Sequence, residues 1–177
     1  MNWLLIWVHL IAFGVWLGET VFFGAVVAPA LFGGLSREEA GAVTALIFPG
    51  YYAVGYVCGT LLVVSALALW QRSRPAGSMW LIAAIVAGVI LAACLYAGLV
   101  VLPEAETLRP LLHDSATEGA VRERFDALHR LAVQLNFVVL IGTLLLAGMV
   151  GARLSSGILP RSRRRRPLSR YSSDPLL

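Results

Sequence analysis

The sequence predicts an all-α integral membrane protein: a four-helix bundle with a short external amphipathic helix and an extended fourth helix. Hydrophobic residues make up 59% of the 177 residues and charged residues only 14%, whereas charged residues form about a quarter of a typical soluble domain. The charges are collected in short stretches, so that four apolar segments remain. Each is about 20 residues long, enough to cross a bilayer core of about 30 Å.

The predicted spans cover residues 3–27, 51–70, 79–102 and 131–151, within a membrane domain of residues 1–153. Pro49 suits the first turn of the second span, and Pro103 is predicted to end the third, because proline is disfavoured in a helix interior. Aromatic residues near the span ends are typical of membrane interfaces; they are Trp3, Trp7, Tyr51, Tyr52, Trp70 and Trp80.

Two capping patterns predict helices outside the apolar segments. Ser36 followed by Glu39 forms a capping box, which predicts a short interfacial helix through residues 40–47. Ser115 followed by Glu118 repeats the pattern and starts an amphipathic stretch that runs into the fourth span. An i,i+4 pair of Asp126 with Arg130 would support this extension of the fourth helix.

The arginines predict the orientation in the membrane. With four spans, nine arginines lie on the side of both termini, in the loop near residue 72 and in the tail, and five lie on the other side. Basic residues favour the cytoplasmic side, so we expect a multi-pass protein of the cell (inner) membrane with cytoplasmic N- and C-termini. Residues 154–177 form a basic tail that we expect to be disordered and to contact anionic lipid rather than nucleic acid.

Polar residues recur along one face of two spans. On the first helix, His9 shares a face with Phe13, Trp16, Thr20 and Phe23, and Glu19 lies at its edge. The fourth helix carries a second stripe, made of Arg122, Asp126, His129, Asn136 and Thr143. Because burying polar groups against lipid is costly, both stripes should face the bundle interior. Small residues on the other two helices favour close packing: Gly55, Gly59, Ser65, Gly88 and Gly98.

Depth determines which of these groups can meet. At about 1.5 Å per residue, Glu19 lies roughly 12 Å and Asn136 roughly 8 Å below the outer surface. With His129 near that surface, the three predict one outer polar cluster and a possible ligand site. A structural alternative is a protonated Glu19 hydrogen-bonded to Asn136. His9 lies roughly 15 Å from Glu19 along the helix, so we expect it to be hydrogen-bonded separately within the bundle.

A set of motifs resembles the transmembrane protein 205-like family, bacterial and eukaryotic four-span proteins that share a domain of unknown function. The resemblance covers about residues 5–150 and implies an integral membrane protein without an assigned catalytic residue. A eukaryotic member has been associated with platinum-drug resistance, which suggests handling of metal or small solutes. The motif residues are His9, Trp16, Gly18, Phe22, Phe23, Pro29, Leu31, Phe32, Ala40, Gly41, Phe48, Pro49, Tyr51, Phe125, His129 and Asn136.

Three classes of function remain open on the sequence. The first is a non-enzymatic binder or carrier of a proton, metal ion or small solute that uses the Glu19, His129 and Asn136 cluster. The second is a haem or other redox protein with a single-histidine site at His9, and the third is a structural or accessory subunit. No phosphate loop, zinc-peptidase or serine-hydrolase motif is present, which favours a non-enzymatic role. No cofactor is predicted, and a homo-oligomer is a reasonable hypothesis.

Overall fold

The computed structural model describes residues 2–73, 78–113 and 118–158. In these residues the chain is helical throughout: α1 (Asn2–Phe22), a π-helical turn (Phe23–Val27), α2 (Ala28–Gly34), α3 (Arg37–Arg72), α4 (Ser78–Tyr96), a second π-helical turn (Ala97–Val101), α5 (Leu102–Leu108), a 3₁₀ turn (Arg109–His113) and α6 (Glu118–Ile158). Ser115 and the tail from residue 159 lie outside the described residues, so the second capping pattern and the predicted tail are not described.

These elements join into four long helices that form a bundle. Residues 3–34, 37–72, 78–112 and 119–152 are each long and apolar enough to cross a membrane. We refer to them as the first to fourth membrane helices. Each exceeds the predicted span by several turns; α6 alone, with 41 residues, is about 60 Å long. The predicted four-helix bundle and the extended fourth helix are therefore confirmed.

The helix predicted to start at Ser36 is present, but it is not a separate interfacial element. The Ser36 hydroxyl accepts from the Glu39 backbone N–H, and the Glu39 carboxylate accepts from the Ser36 N–H at 3.0 Å. This capping box begins α3, which then continues without interruption to Arg72. Pro49 therefore lies inside a helix and not in its first turn, because α3 begins twelve residues earlier.

Each π-helical turn lies directly before a proline. The segments 24–29 and 98–103 both read Gly-x-Val-Val-x-Pro, and the N–H groups of Ala28 and Leu102 bond five residues back, to Phe23 and Ala97. A proline ring in a regular α-helix clashes with the carbonyl four residues earlier. A wider turn relieves this clash. Pro103 was predicted to end the third helix; this is wrong, because the π-turn allows the helix to continue to Leu108.

Trp16 lies at the centre of the core, against glycines of α3. A Cβ on Gly59 would lie 3.0 Å from the Trp16 ring, and one on Gly55 would lie 2.6 Å from the Cys94 sulfur. Gly98 packs as closely on Tyr52 and Tyr56, so the small residues at 55, 59 and 98 allow close approach as predicted. Gly88 does not, because nothing lies within 4 Å of a Cβ there.

Candidate functional site

A cavity of about 1310 Å³ lies between the helices at the end of the bundle that contains the turn at residues 35–36. It extends along the fourth membrane helix from Arg122 to Leu140, a distance of about 27 Å. Its volume exceeds the upper range of ordinary small-molecule pockets, about 1,000 Å³. The cavity is therefore large enough to hold a long ligand.

The cavity exists because the outer part of the first membrane helix packs loosely. Neither its π-turn nor α2, together residues 23–34, contains a buried residue. The equivalent segment of the third helix buries Ala97 and Val101. Two helices with the same Gly-x-Val-Val-x-Pro sequence are thus packed differently, and the space lies beside the first.

Exposed apolar side chains of the first and fourth membrane helices also line the cavity. Val21 and Phe137 are 43% and 58% exposed. Both residues belong to segments that the sequence predicts to be embedded in the bilayer. The apolar part of the cavity therefore lies at the predicted depth of the bilayer core.

Aromatic rings form the inner wall of the cavity. The ring of Phe23 lies 5.4 Å from that of Phe48 and 5.1 Å from that of Tyr51, and Tyr51 and Tyr52 lie 5.4 Å apart, measured between ring centres. All four residues line the cavity. Tyr51 and Tyr52 were predicted to lie at the membrane interface. Both are buried within the bundle, and α3 begins about four turns before them.

The predicted outer polar cluster is only partly assembled in the cavity. Asn136 and His129 line it, whereas Glu19 does not. The Asn136 side-chain oxygen accepts from the Tyr51 hydroxyl at 3.0 Å, and its NH₂ donates to the Ala132 carbonyl. The Glu19–Asn136 hydrogen bond of the structural alternative is thus not among the bonds of the described residues, where Tyr51 is the partner of the Asn136 oxygen. The Glu19 Oε2 atom is buried without a hydrogen-bond partner among the described residues.

The inward orientation of the polar stripes is seen at their buried members, whereas Arg122 and His129 are exposed. On the first helix, His9, Trp16 and Thr20 are buried, and on the fourth, Thr143 is fully buried. The other four members of the fourth-helix stripe line the cavity: Arg122, Asp126, His129 and Asn136.

Charged residues surround the end of the cavity farthest from Leu140. Arg37 on α3 bonds Asp126 on α6 at 2.7 Å, so Asp126 does not form the predicted pair with Arg130. Arg109 donates from Nε and Nη2 to Glu106, at 3.2 and 2.8 Å. Arg122, Glu38 and His129 also line this end. We call this set of seven residues the charged rim.

His9 lies at the other end of the bundle and is 2% exposed. Its Nδ1 lies 2.8 Å from the Ser65 hydroxyl, and its ring packs edge-on against Trp80 at 5.4 Å. The predicted hydrogen bond of His9 within the bundle is therefore confirmed.

The described residues also offer no grouping suited to a metal ion: no three His, Cys, Asp or Glu side chains among them come together as ligands. Cys58 and Cys94 are buried free thiols in the core.

The remaining motif residues lie in three different parts of the bundle. Trp16 is a core residue, whereas Phe32 and Phe125 line the cavity. Gly18, Pro29 and Pro49 are exposed. The motifs thus combine residues of the core, the cavity and the outer surface.

Several cavity residues were not identified from the sequence. Arg37 and Arg109 were counted only as topology signals. Tyr52 was named only as an interfacial aromatic, and Tyr51 as an interfacial aromatic and a motif residue. One signal was present: the capping box at Ser36 already placed Arg37, Tyr51 and Tyr52 on a helix that could be continuous.

Comparison with known protein families identifies the family of the chain. Residues 11–113, more than half of its length, match the family described as a domain of unknown function (DUF4149). No curated protein and no solved structure matches the chain. The matched segment includes the first three membrane helices and most of the cavity wall. The chain therefore belongs to the DUF4149 family.

Proposed function

We propose that this protein is a non-enzymatic binder of an amphipathic small molecule, held in the cavity between its membrane helices. The observation that carries the proposal is the cavity itself, with apolar and aromatic walls along its length and polar groups at Asn136 and at the charged rim. Largely apolar cavities with a few placed polar groups are typical of ligand sites. Of the solute classes that the sequence left open, this favours a small solute over a metal ion.

The proposal also covers the related protein family, the membrane in which the chain lies and the side on which its termini lie. The motif residues support kinship with the transmembrane protein 205-like family. The arginine distribution supports a location in the inner membrane with both termini in the cytoplasm. The cavity then faces the non-cytoplasmic side, and the arginine-rich tail is available to anionic lipid. A homo-oligomer remains compatible with this arrangement.

Photolabelling tests the binding site. The full chain, in phosphatidylcholine vesicles, is irradiated with hexadecanol that carries a diazirine in its chain, and labelled peptides are mapped by mass spectrometry. We expect labels on cavity residues of the first and fourth membrane helices, such as Phe23 and Leu140. Labels spread evenly over lipid-facing residues would contradict the proposal.

Matched variants separate the cavity from the outer surface. Ala105→Trp with Ala132→Trp fills the cavity, because both alanines line it. Ala53→Trp with Ala92→Trp adds the same bulk at exposed positions that do not line it. We expect the first pair to lower cavity labelling about tenfold, which corresponds to about 1.4 kcal/mol. The second pair should leave labelling unchanged.

A further inference from the structure

The charged rim carries balanced charges. The carboxylates and guanidinium groups that line the cavity in the described part of the chain number three each: Glu38, Glu106, Asp126 and Arg37, Arg109, Arg122. An anionic head group placed there would meet three carboxylates, and a cationic one would meet three guanidinium groups. Only a head group with both signs of charge has complementary partners throughout.

Arg109 is held in a position suited to a phosphate. Its Nε and Nη2 are bonded to Glu106, which fixes the guanidinium plane and leaves the donors of Nη1 outside this pair. Nη1 lies 3.0 Å from the point where a Cβ on Gly41 would be, and both residues line the cavity. The absence of a side chain at Gly41 thus makes room for the guanidinium group. Arginine donors arranged in this way suit phosphate oxygens.

Two rim carboxylates are partly exposed, Glu106 beside Arg109 and Asp126 on α6. Asp126 belongs to α6 and bonds Arg37 through one carboxylate oxygen, Oδ1. Its side chain is 32% exposed, and that of Glu106 is 37% exposed. Both carboxylates can therefore accept hydrogen bonds from an ammonium group that reaches the rim.

The depth of the rim matches the layer in which lipid head groups lie. The rim residues of α6 are residues 122–129, which directly precede the apolar segment that begins near residue 131. Below them, the apolar part of the cavity includes Val21 and Phe137, which belong to segments predicted to be embedded in the bilayer. A head group at the rim would therefore place its acyl chains at the predicted depth of the bilayer core.

We infer that the ligand of this cavity is a zwitterionic phospholipid with a free ammonium group, such as phosphatidylethanolamine. The inference rests on the proposed binding function and names the class of molecule bound. The phosphate accepts from Arg109, and the ammonium donates to Glu106 or Asp126. The acyl chains occupy the space lined by Phe23, Phe48 and Leu140.

Competition between lipids tests this inference. The full chain is reconstituted in bilayers of equal parts phosphatidylethanolamine and anionic phosphatidylglycerol with identical acyl chains, and the retained lipids are identified by native mass spectrometry. We expect phosphatidylethanolamine to be enriched about tenfold over phosphatidylglycerol, equivalent to about 1.4 kcal/mol. Retained lipid with the composition of the bilayer, or enriched in phosphatidylglycerol, would overturn the inference.

Two variants keep the test specific. Glu106→Gln with Asp126→Asn removes two rim carboxylates and should reverse the preference towards phosphatidylglycerol. Glu104→Gln also neutralises a carboxylate, but Glu104 does not line the cavity and bonds Arg124 instead. This variant should retain the lipid preference of the unaltered protein. If both variants keep that preference, the rim does not select the head group. Hexadecanol labelling of the cavity would still report on the proposed binding function.

Discussion

At the scale of single residues, His9 and Glu19 show two ways in which a polar side chain exists within an apolar helix. His9 has a partner: its Nδ1 lies 2.8 Å from the Ser65 hydroxyl, whose oxygen also lies 3.2 Å from the Leu62 carbonyl. Glu19 leaves a buried oxygen without a hydrogen bond among the described residues. The first arrangement stabilises the bundle, and the second carries a cost.

The His9–Ser65 contact predicts a coupling energy. In a double-mutant cycle of His9→Phe and Ser65→Ala, we expect the two changes to be coupled by about 1 kcal/mol, within the range measured for hydrogen bonds between membrane helices. The free energy of unfolding is measured in mixed detergent micelles. Strictly additive effects would show that the contact contributes nothing to stability.

The unpartnered oxygen of Glu19 predicts a gain of stability on substitution. Glu19→Met removes the buried polar atom, whose desolvation costs about 1–3 kcal/mol, and should raise the midpoint of thermal unfolding. Glu19→Gln should raise it less, because it retains a polar group. A lower midpoint for Glu19→Met would mean that this carboxyl group has a stabilising interaction in the membrane.

At the scale of helices, the two Gly-x-Val-Val-x-Pro segments determine the shape of the bundle. Each produces a π-turn, yet the segment in the third helix packs into the core and the one in the first helix does not. The difference places the cavity beside the first helix. Proline and glycine therefore act here as parts of long helices and not as their ends.

The sequence predicts the number of helices and their buried faces better than it predicts where the helices begin and end. Apolar length identified the four helices, and the 3.6-residue period identified their inward faces at Trp16 and Thr143. The rules for proline predicted the wrong end of the third helix at Pro103, because a π-turn before a proline has no distinct signal in a single sequence. The continuity of α3 through Pro49 was missed for a related reason, since the span was placed by hydropathy alone.

Two glycines of the third membrane helix test its packing. At Gly98 a new Cβ would lie 2.7 Å from the Tyr52 ring, whereas at Gly88 it would meet nothing within 4 Å. Overpacking costs about 1–3 kcal/mol, so Gly98→Ala should lower the free energy of unfolding by that amount. Gly88→Ala should leave it unchanged or raise it. Equal effects of the two substitutions would contradict the packing described.

At the scale of the whole molecule, the bundle has two unlike ends. One end holds His9, Trp80 and the turn after Arg72, and the other holds the charged rim and the cavity. Periodicity in the sequence predicted that Asn136 and His129 face inward. It could not predict that the inward faces leave a space between them, because a cavity depends on how far apart the helices lie.

The arginine distribution predicts the orientation of these ends in the membrane. Gln71→Cys and Ala120→Cys introduce thiols at exposed positions near opposite ends, while the natural cysteines are buried. With a membrane-impermeant maleimide on intact cells, we expect labelling of the cysteine at 120 only. The cysteine at 71 should react after permeabilisation. The opposite pattern would show that the cavity faces the cytoplasm.

The central claim, that the cavity is a lipid-binding site, is tested most directly by thermal unfolding of delipidated protein with and without added phosphatidylethanolamine. A ligand at about 100 times its Kd stabilises the native state by about 2.7 kcal/mol. We therefore predict a higher midpoint with lipid for the unaltered protein and for Ala53→Trp with Ala92→Trp. The cavity-filling pair Ala105→Trp with Ala132→Trp should show little or no such rise. A rise of equal size in the cavity-filled protein would contradict the claim, because the lipid would then act on the outer surface of the bundle.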